Sequence, residues 1–366
     1  MTARGRFAGL ACLAALWQAG PTAADAPLLF DSSESLAVTV EAPVRDLVRK
    51  RRDAPEYAGT VRYTEPTGEE RALPVAVSVR GHSRLQMCDF PPVRLTFDRD
   101  VTAGTLFADI RSLKLVTRCL RSSKARDWAK LEFGAYRVYN AITPYSYRVR
   151  RLELTWRDTE ARAAERRQIA FVIEPDRLVE ARLGREKVRP PEVLPEQLSL
   201  EETTHYMLFQ YFIGNTDFAV KRGPSGEGCC HNGRVFAADG ATRDFIVLPY
   251  DFDQSGIVDP DYALPDRRLG IRKVSQRLYR GFCWQNDRLP ESIRLFNEKR
   301  AEIEAAFPES DLSRLQARRV QRFIGNFYDT VNDPKELQER LLDQCRGSDS
   351  LPLRESPVSP SHERTP

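Results

Sequence analysis

Four polar side chains between Tyr211 and Gly256 have the types and spacing that phosphoryl transfer requires. Asp217 lies in YFIGNTDFAV, Asn232 in CCHNGRVF, and Asp251 with Asp253 in DFIVLPYDFDQSG. A carboxylate in the turn after a helix can accept the proton of a hydroxyl nucleophile, which is the role read for Asp217. Asn232, Asp251 and Asp253 can together hold a hard divalent cation through oxygen. Asp251 and Asp253 point to the same side if the chain stays extended. The plain alternatives are that Asn215 and Asp217 cap the next segment, and that Asp251 and Asp253 mark a polar strand end.

Charge developing on phosphate oxygens needs cations, and the front of the chain supplies candidates. Arg80 and Arg84 flank Ser83 in VSVRGHSR and could bind phosphate directly. Lys114 lies between Leu113 and Leu115, so it faces away from those leucines, and Glu132 lies inside the following helix. A strand Lys paired with a Glu of the next helix can orient the α- and β-phosphates of ATP. No GxGxxG occurs near the front, which excludes an ordinary Gly-rich phosphate loop.

The elements that must position these groups follow from hydrophobic periodicity. LAVTVEAP, YAGTVRYTE, LPVAVSVRG, VRLTFD and SLKLVT alternate or run apolar and read as strands. Residues 127 to 142 read as a helix, with Trp128, Leu131, Ala135, Val138 and Tyr139 at helical spacing. RVRRLELTW and QIAFVI add two strands, a helix spans 199 to 213, and FIVLPYDFD is a strand apolar on both faces. Tyr136, Tyr139, Tyr145 and Tyr147 are read as core packing. The expectation is an α+β chain with a bilobal layout. It has a β-rich N-lobe with one main helix (27–183), a linker (184–198), a mainly helical C-lobe carrying the acids (199–347) and a polar, Pro-rich tail (348–366).

The first 26 residues combine Arg4 and Arg6, an apolar run from Phe7 to Trp17 and a small-residue cleavage site, the pattern of a secretory signal peptide. No later run is long enough to span a membrane. A secreted or periplasmic location follows, and it allows disulfides among the six cysteines outside that segment. Cys88 and Cys119 end neighbouring strand-like segments and are expected to pair. Cys229 and Cys230 are adjacent, so one of them is expected to pair elsewhere or stay free. No CxxC…CxxC spacing supports zinc. With a formal net charge of +4, the chain has no nucleic-acid footprint.

The same residues resemble the CotH kinase family, over about Val75 to Gly256. GNTD (214–217) and LPYDFD (248–253) are similar to that family's GN-x-D and P-x-D-x-D elements, and VSVRGHSR to its RG-x-S-x-R turn. FVIEPDR (171–177) resembles its strand ending in Glu. The family's lysine-rich stretch after the turn is here CDFPPVRL, with Arg94 as its only cation. The resemblance implies an atypical protein-kinase-like fold, with ATP and Mg²⁺ or Mn²⁺ as cofactors. It implies transfer to a hydroxyl of a protein substrate, with Asp217 as catalytic acid/base and Asp251 on the metal. The alternative expectation is a non-catalytic envelope or surface protein of the same fold that binds a metal or a protein partner.

Overall fold

The computed structural model describes residues 28–53, 55–81, 83–224 and 227–347. The signal-peptide reading and the tail lie outside the described residues.

Seven strands, β1 (Leu36–Ala42), β2 (Glu56–Thr64), β3 (Glu70–Val79), β4 (Val93–Thr96), β5 (Ser112–Val116), β6 (Val149–Asp158) and β7 (Arg166–Ile173), close into a barrel. Its order is β1-β2-β3-β4-β5-β7-β6. All pairs are antiparallel except β1 with β6, where Leu36 to Ala42 run parallel to Leu152 to Asp158 and complete the ring. The alternation of the strands explains the inside. Leu73, Val75, Val77 and Val79 of β3 are buried at every second position, and Val38, Val40, Leu152, Leu154 and Trp156 do the same on β1 and β6. Phe90, Phe97, Phe107 and Trp156 fill the interior. Small helices α1 (Val44–Arg49), α2 (Ser83–Met87) and α3 (Arg99–Thr102) decorate the connections.

The long helix α4 (Ala125–Ile142) leaves the barrel and joins a second core with the C-terminal half. Phe133 and Tyr136 pack on Phe171 of β7, while Tyr139 packs on Phe209 of helix α6 (Leu200–Ile213), with ring centroids 4.6 Å apart. Helix α5 (Asp176–Leu183) follows β7. A separate three-stranded sheet, ordered β10-β9-β8, is built from β8 (Glu186–Val188), β9 (Gly233–Ala237) and β10 (Ile246–Pro249). Helices α7 (Leu289–Glu298), α8 (Arg300–Ala305), α9 (Arg314–Asn332) and α10 (Pro334–Leu337) complete the second core.

The expected bilobal atypical protein-kinase-like fold, with a β-rich N-lobe and a mainly helical C-lobe, is therefore corrected. A closed seven-stranded mixed barrel does not fit that arrangement. The physical reason is the β1–β6 pairing, which joins segments more than a hundred residues apart and leaves no edge on the sheet. Alternation within each strand carries no signal for it.

Cys88–Cys119 and Cys283–Cys345 are bridged. Cys229 and Cys230 are bridged to each other, which corrects the expectation that one would pair elsewhere or stay free. Among the described residues no helix is long and apolar enough to cross a membrane.

Candidate functional site

Helix α6 is buried on all sides from Thr203 to Ile213, so its C-terminal turn lies deep in the second core. Gly214 ends the helix in the left-handed region at φ +63°, where a Cβ would stand 3.0 Å from the Phe323 ring. The chain then turns through Asn215, whose Oδ1 accepts from the Asp217 N–H at 2.9 Å and whose Nδ2 donates to Gln210 Oε1 at 2.9 Å. The local turn is thus Asn215's work, and the Asp217 carboxylate, only 8% exposed as a residue, is left for other partners. His231 Nε2 lies 3.0 Å from Oδ1, and Asn232 Nδ2 donates to Oδ2 at 3.0 Å and to the Asp217 carbonyl at 2.7 Å.

Asn232 links this acid to the second pair. It adopts φ +48°, and its carbonyl accepts from the Tyr250 N–H at 3.0 Å. Tyr250 follows β10, whose four residues are all buried. Asp251 comes next at φ +63°, with its N–H donating to the Tyr136 hydroxyl at 3.0 Å. Non-glycine residues in this region are strained, and such positions concentrate where a side chain has a task.

Asp251 and Asp253 do not face open solvent together. The Arg84 guanidinium of α2 lies between them, Nη2 at 2.6 Å from Asp251 Oδ1 and Nε at 3.1 Å from Asp253 Oδ2. Its Nη1 is 3.6 Å from Glu132 Oε2 of α4. Tyr262 donates to Asp253 Oδ2 at 2.9 Å. The Arg84 side chain is 11% exposed, against 32% for Asp251.

Burial and crowding set the charges. Burial pushes Glu132 up from 4.5 to about 7 against the pull of Arg84. Burial, joined by the like charges of Asp251 and Glu132, raises Asp253 well above its usual value despite Arg84. For Asp251 burial also opposes ionisation, but Arg84 and then Arg80 outweigh it and hold the group below the usual value. One guanidinium faces three acids, and Asp251 keeps the negative charge.

The remaining expected residues separate. Lys114 does turn away from Leu113 and Leu115, but its Nζ lies 4.4 Å from the Tyr250 ring centroid rather than beside Glu132, whose cation is Arg84. Arg234 of β9 reaches the same ring at 5.1 Å. Arg80, at the end of β3, leaves its Nε buried without a hydrogen-bond partner among the described residues. Arg84, expected on phosphate, is instead engaged by carboxylates. The structure thus brings Arg84, Glu132, Asp251 and Asp253 into one cluster and Asp217 with Asn232 into a second. Asn232 and Tyr250 join the two.

The divalent-cation set of Asn232, Asp251 and Asp253 does not fit a metal as it stands. Both carboxylates already hold a guanidinium, and Asn232 is tied through its Nδ2 to Asp217 in the other cluster. Among the described residues no group of three or more His, Cys, Asp and Glu is placed to hold a metal ion. For a nucleotide, the phosphate-binding candidates are Arg80, Lys114 and Arg234.

Sequence reasoning missed His231, Arg234, Tyr250 and Tyr262 as site groups; Tyr136, read as core packing, is buried in the core and also accepts from the Asp251 N–H. Adjacency to Asn232 and to Asp251 was the available signal for His231 and Tyr250. Nothing local marks Tyr262, which comes to Asp253 through the fold. A scan of known protein-family models and a search of curated proteins each returned no match to this chain.

Proposed function

We propose that this site transfers a phosphoryl group from a nucleoside triphosphate such as ATP to a hydroxyl of a protein substrate. The observation that carries the reading is Asp217. It is a buried carboxylate oriented by Asn232 and His231, and Asn232 ties it to the strand end where Lys114 and Arg234 gather on Tyr250. The resemblance of GNTD and LPYDFD to the CotH kinase elements supports the same chemistry. The reading rests on these residues and not on the fold.

In this scheme Asp217 orients the acceptor hydroxyl and takes its proton. A carboxylate is the group that can accept such a proton. The acceptor oxygen forms its bond to the γ-phosphorus as the bond to the bridging oxygen breaks, and that electron pair leaves with the nucleoside diphosphate. Arg80, Lys114 and Arg234 meet the charge on the phosphate oxygens. No step is routed through a metal, because the acids that would hold one are taken. The bridged cysteines further support export into an oxidising compartment.

A second reading, a non-catalytic protein that binds a partner, is favoured by the engagement of Asp251 and Asp253 with Arg84. Melting curves with millimolar ATP separate the two. At a ligand level about 100 times Kd the folded state gains about 2.7 kcal/mol, a shift of several degrees. The transfer reading expects that shift in the wild type and its loss in Lys114→Ala with Arg80→Ala. No shift in the wild type selects the second reading.

A further inference from the structure

The place of Arg84 within the acid cluster carries an inference about the chemistry of the site. Its three guanidinium nitrogens face three carboxylates from different parts of the chain, Glu132 on α4 and Asp251 and Asp253 after β10. Tyr262 closes the remaining side of Asp253. The guanidinium therefore sits at the point where these acids converge, which is where a charge-balancing cation must sit. Two cations cannot share that point, since the second would be repelled at contact distance in a site with little water.

Arg84 is also held there. The Cys88 N–H donates to the Arg84 carbonyl at 3.0 Å, and Cys88 is bridged to Cys119 beyond β5. The helix carrying the arginine is thus fastened to the barrel next to the site. On that fixed backbone the side chain is only 11% exposed and ion-paired with three acids, so its position among them is pre-organised.

We propose that Arg84 is the resident cation of this site, that it takes the charge-balancing place among Glu132, Asp251 and Asp253, and that the wild-type site works without a divalent metal. Arg84 then positions the acids and does not touch substrate, and binding of phosphate falls to other cations. The inference deepens the transfer reading and rests on it for its chemical consequence. The binding test below needs no phosphoryl donor, so failure of the inference and failure of the transfer reading are told apart.

The test is a Mn²⁺ titration of the full chain followed by the electron paramagnetic resonance signal of free Mn²⁺. The wild type is expected to take up no Mn²⁺ at this site, with Asp251→Asn giving the same curve. Arg84→Ala, which leaves the three acids without their cation, should take up Mn²⁺ at least about tenfold more tightly than the wild type. Adding Asp251→Asn to Arg84→Ala should remove that gain. Arg84→Lys, which keeps a positive charge in place, should behave like the wild type. If Arg84→Ala does not fold alone, Mn²⁺ should restore its folded signal. The proposal is overturned if the wild type binds one Mn²⁺ that Asp251→Asn abolishes. It is equally overturned if folded Arg84→Ala gains no affinity, or if an unfolded Arg84→Ala is not rescued by Mn²⁺.

Discussion

Replacing Glu132 by Gln should flatten the pH dependence of stability, and the size of the effect follows from the acid cluster. Glu132 is buried in α4 and lifted from 4.5 to about 7, chiefly by burial, with Arg84 pulling the other way. Each tenfold change in proton affinity is worth about 1.4 kcal/mol, so ionising Glu132 in the folded state costs about 3 kcal/mol. Between those two values the folded chain holds a proton that the unfolded chain has released. Unfolding then releases a proton, and rising pH favours it. The contribution is complete below 4.5 and is lost as pH climbs through about 7. Asp253 is raised partly by the charge on Glu132, so its own share shrinks in the variant and in the same sense. Gln has nearly the same shape and no proton to lose. Urea unfolding at about pH 5 and about pH 8 should show the wild type losing roughly 2 to 3 kcal/mol more than Glu132→Gln across that interval. Groups away from the cluster titrate alike in both proteins and cancel. Equal pH dependence in the two proteins, or a steeper one in the variant, would refute the buried, proton-holding Glu132.

Two further substitutions probe the frame that holds the site. In Gly134→Ala the new Cβ would fall 2.3 Å from the Phe307 ring and 2.9 Å from the Ala306 carbonyl. Because Phe307 is itself buried, the clash should cost about 2 kcal/mol or more, read as a lower urea midpoint. An unchanged midpoint would contradict the close packing of α4 on the end of α8. Removing the Cys283–Cys345 bridge with serines opens a loop spanning 62 positions and should destabilise the protein by about 4 kcal/mol. A loss under about 1 kcal/mol would mean that this pair does not constrain the unfolded chain.

How much was legible in the sequence differs by element. Strands such as LPVAVSVRG and SLKLVT announced themselves because one face of each is buried, and α4 because its apolar residues recur at helical spacing. That logic also placed Lys114 away from the barrel interior. Closure was not legible, since β1 and β6 alternate as any two strands would and their parallel pairing depends on everything folded between them. The same limit applied to the site. GNTD and PYDFD could be picked out as motifs, yet whether Asp251 and Asp253 meet a metal or an arginine depends on α2 and α4 converging on one turn. The acids around Arg84 were not legible, because spacing records where a cation is, not which acids surround it. Lys114 and Glu132 were read as partners for the same reason, and the fold gives Glu132 to Arg84.

The most direct test of the proposed transfer is to follow the γ-phosphate itself. The protein would be incubated with ATP labelled at that position, and label counted in protein and in released phosphate for the wild type and Asp217→Asn. The account expects label to move in the wild type and the rate to fall by about a hundredfold or more in the variant, the usual worth of a general base. The ATP-dependent melting shift should survive the substitution. A wild type that moves no label, or an Asp217→Asn protein that moves it at an unchanged rate, would contradict the account.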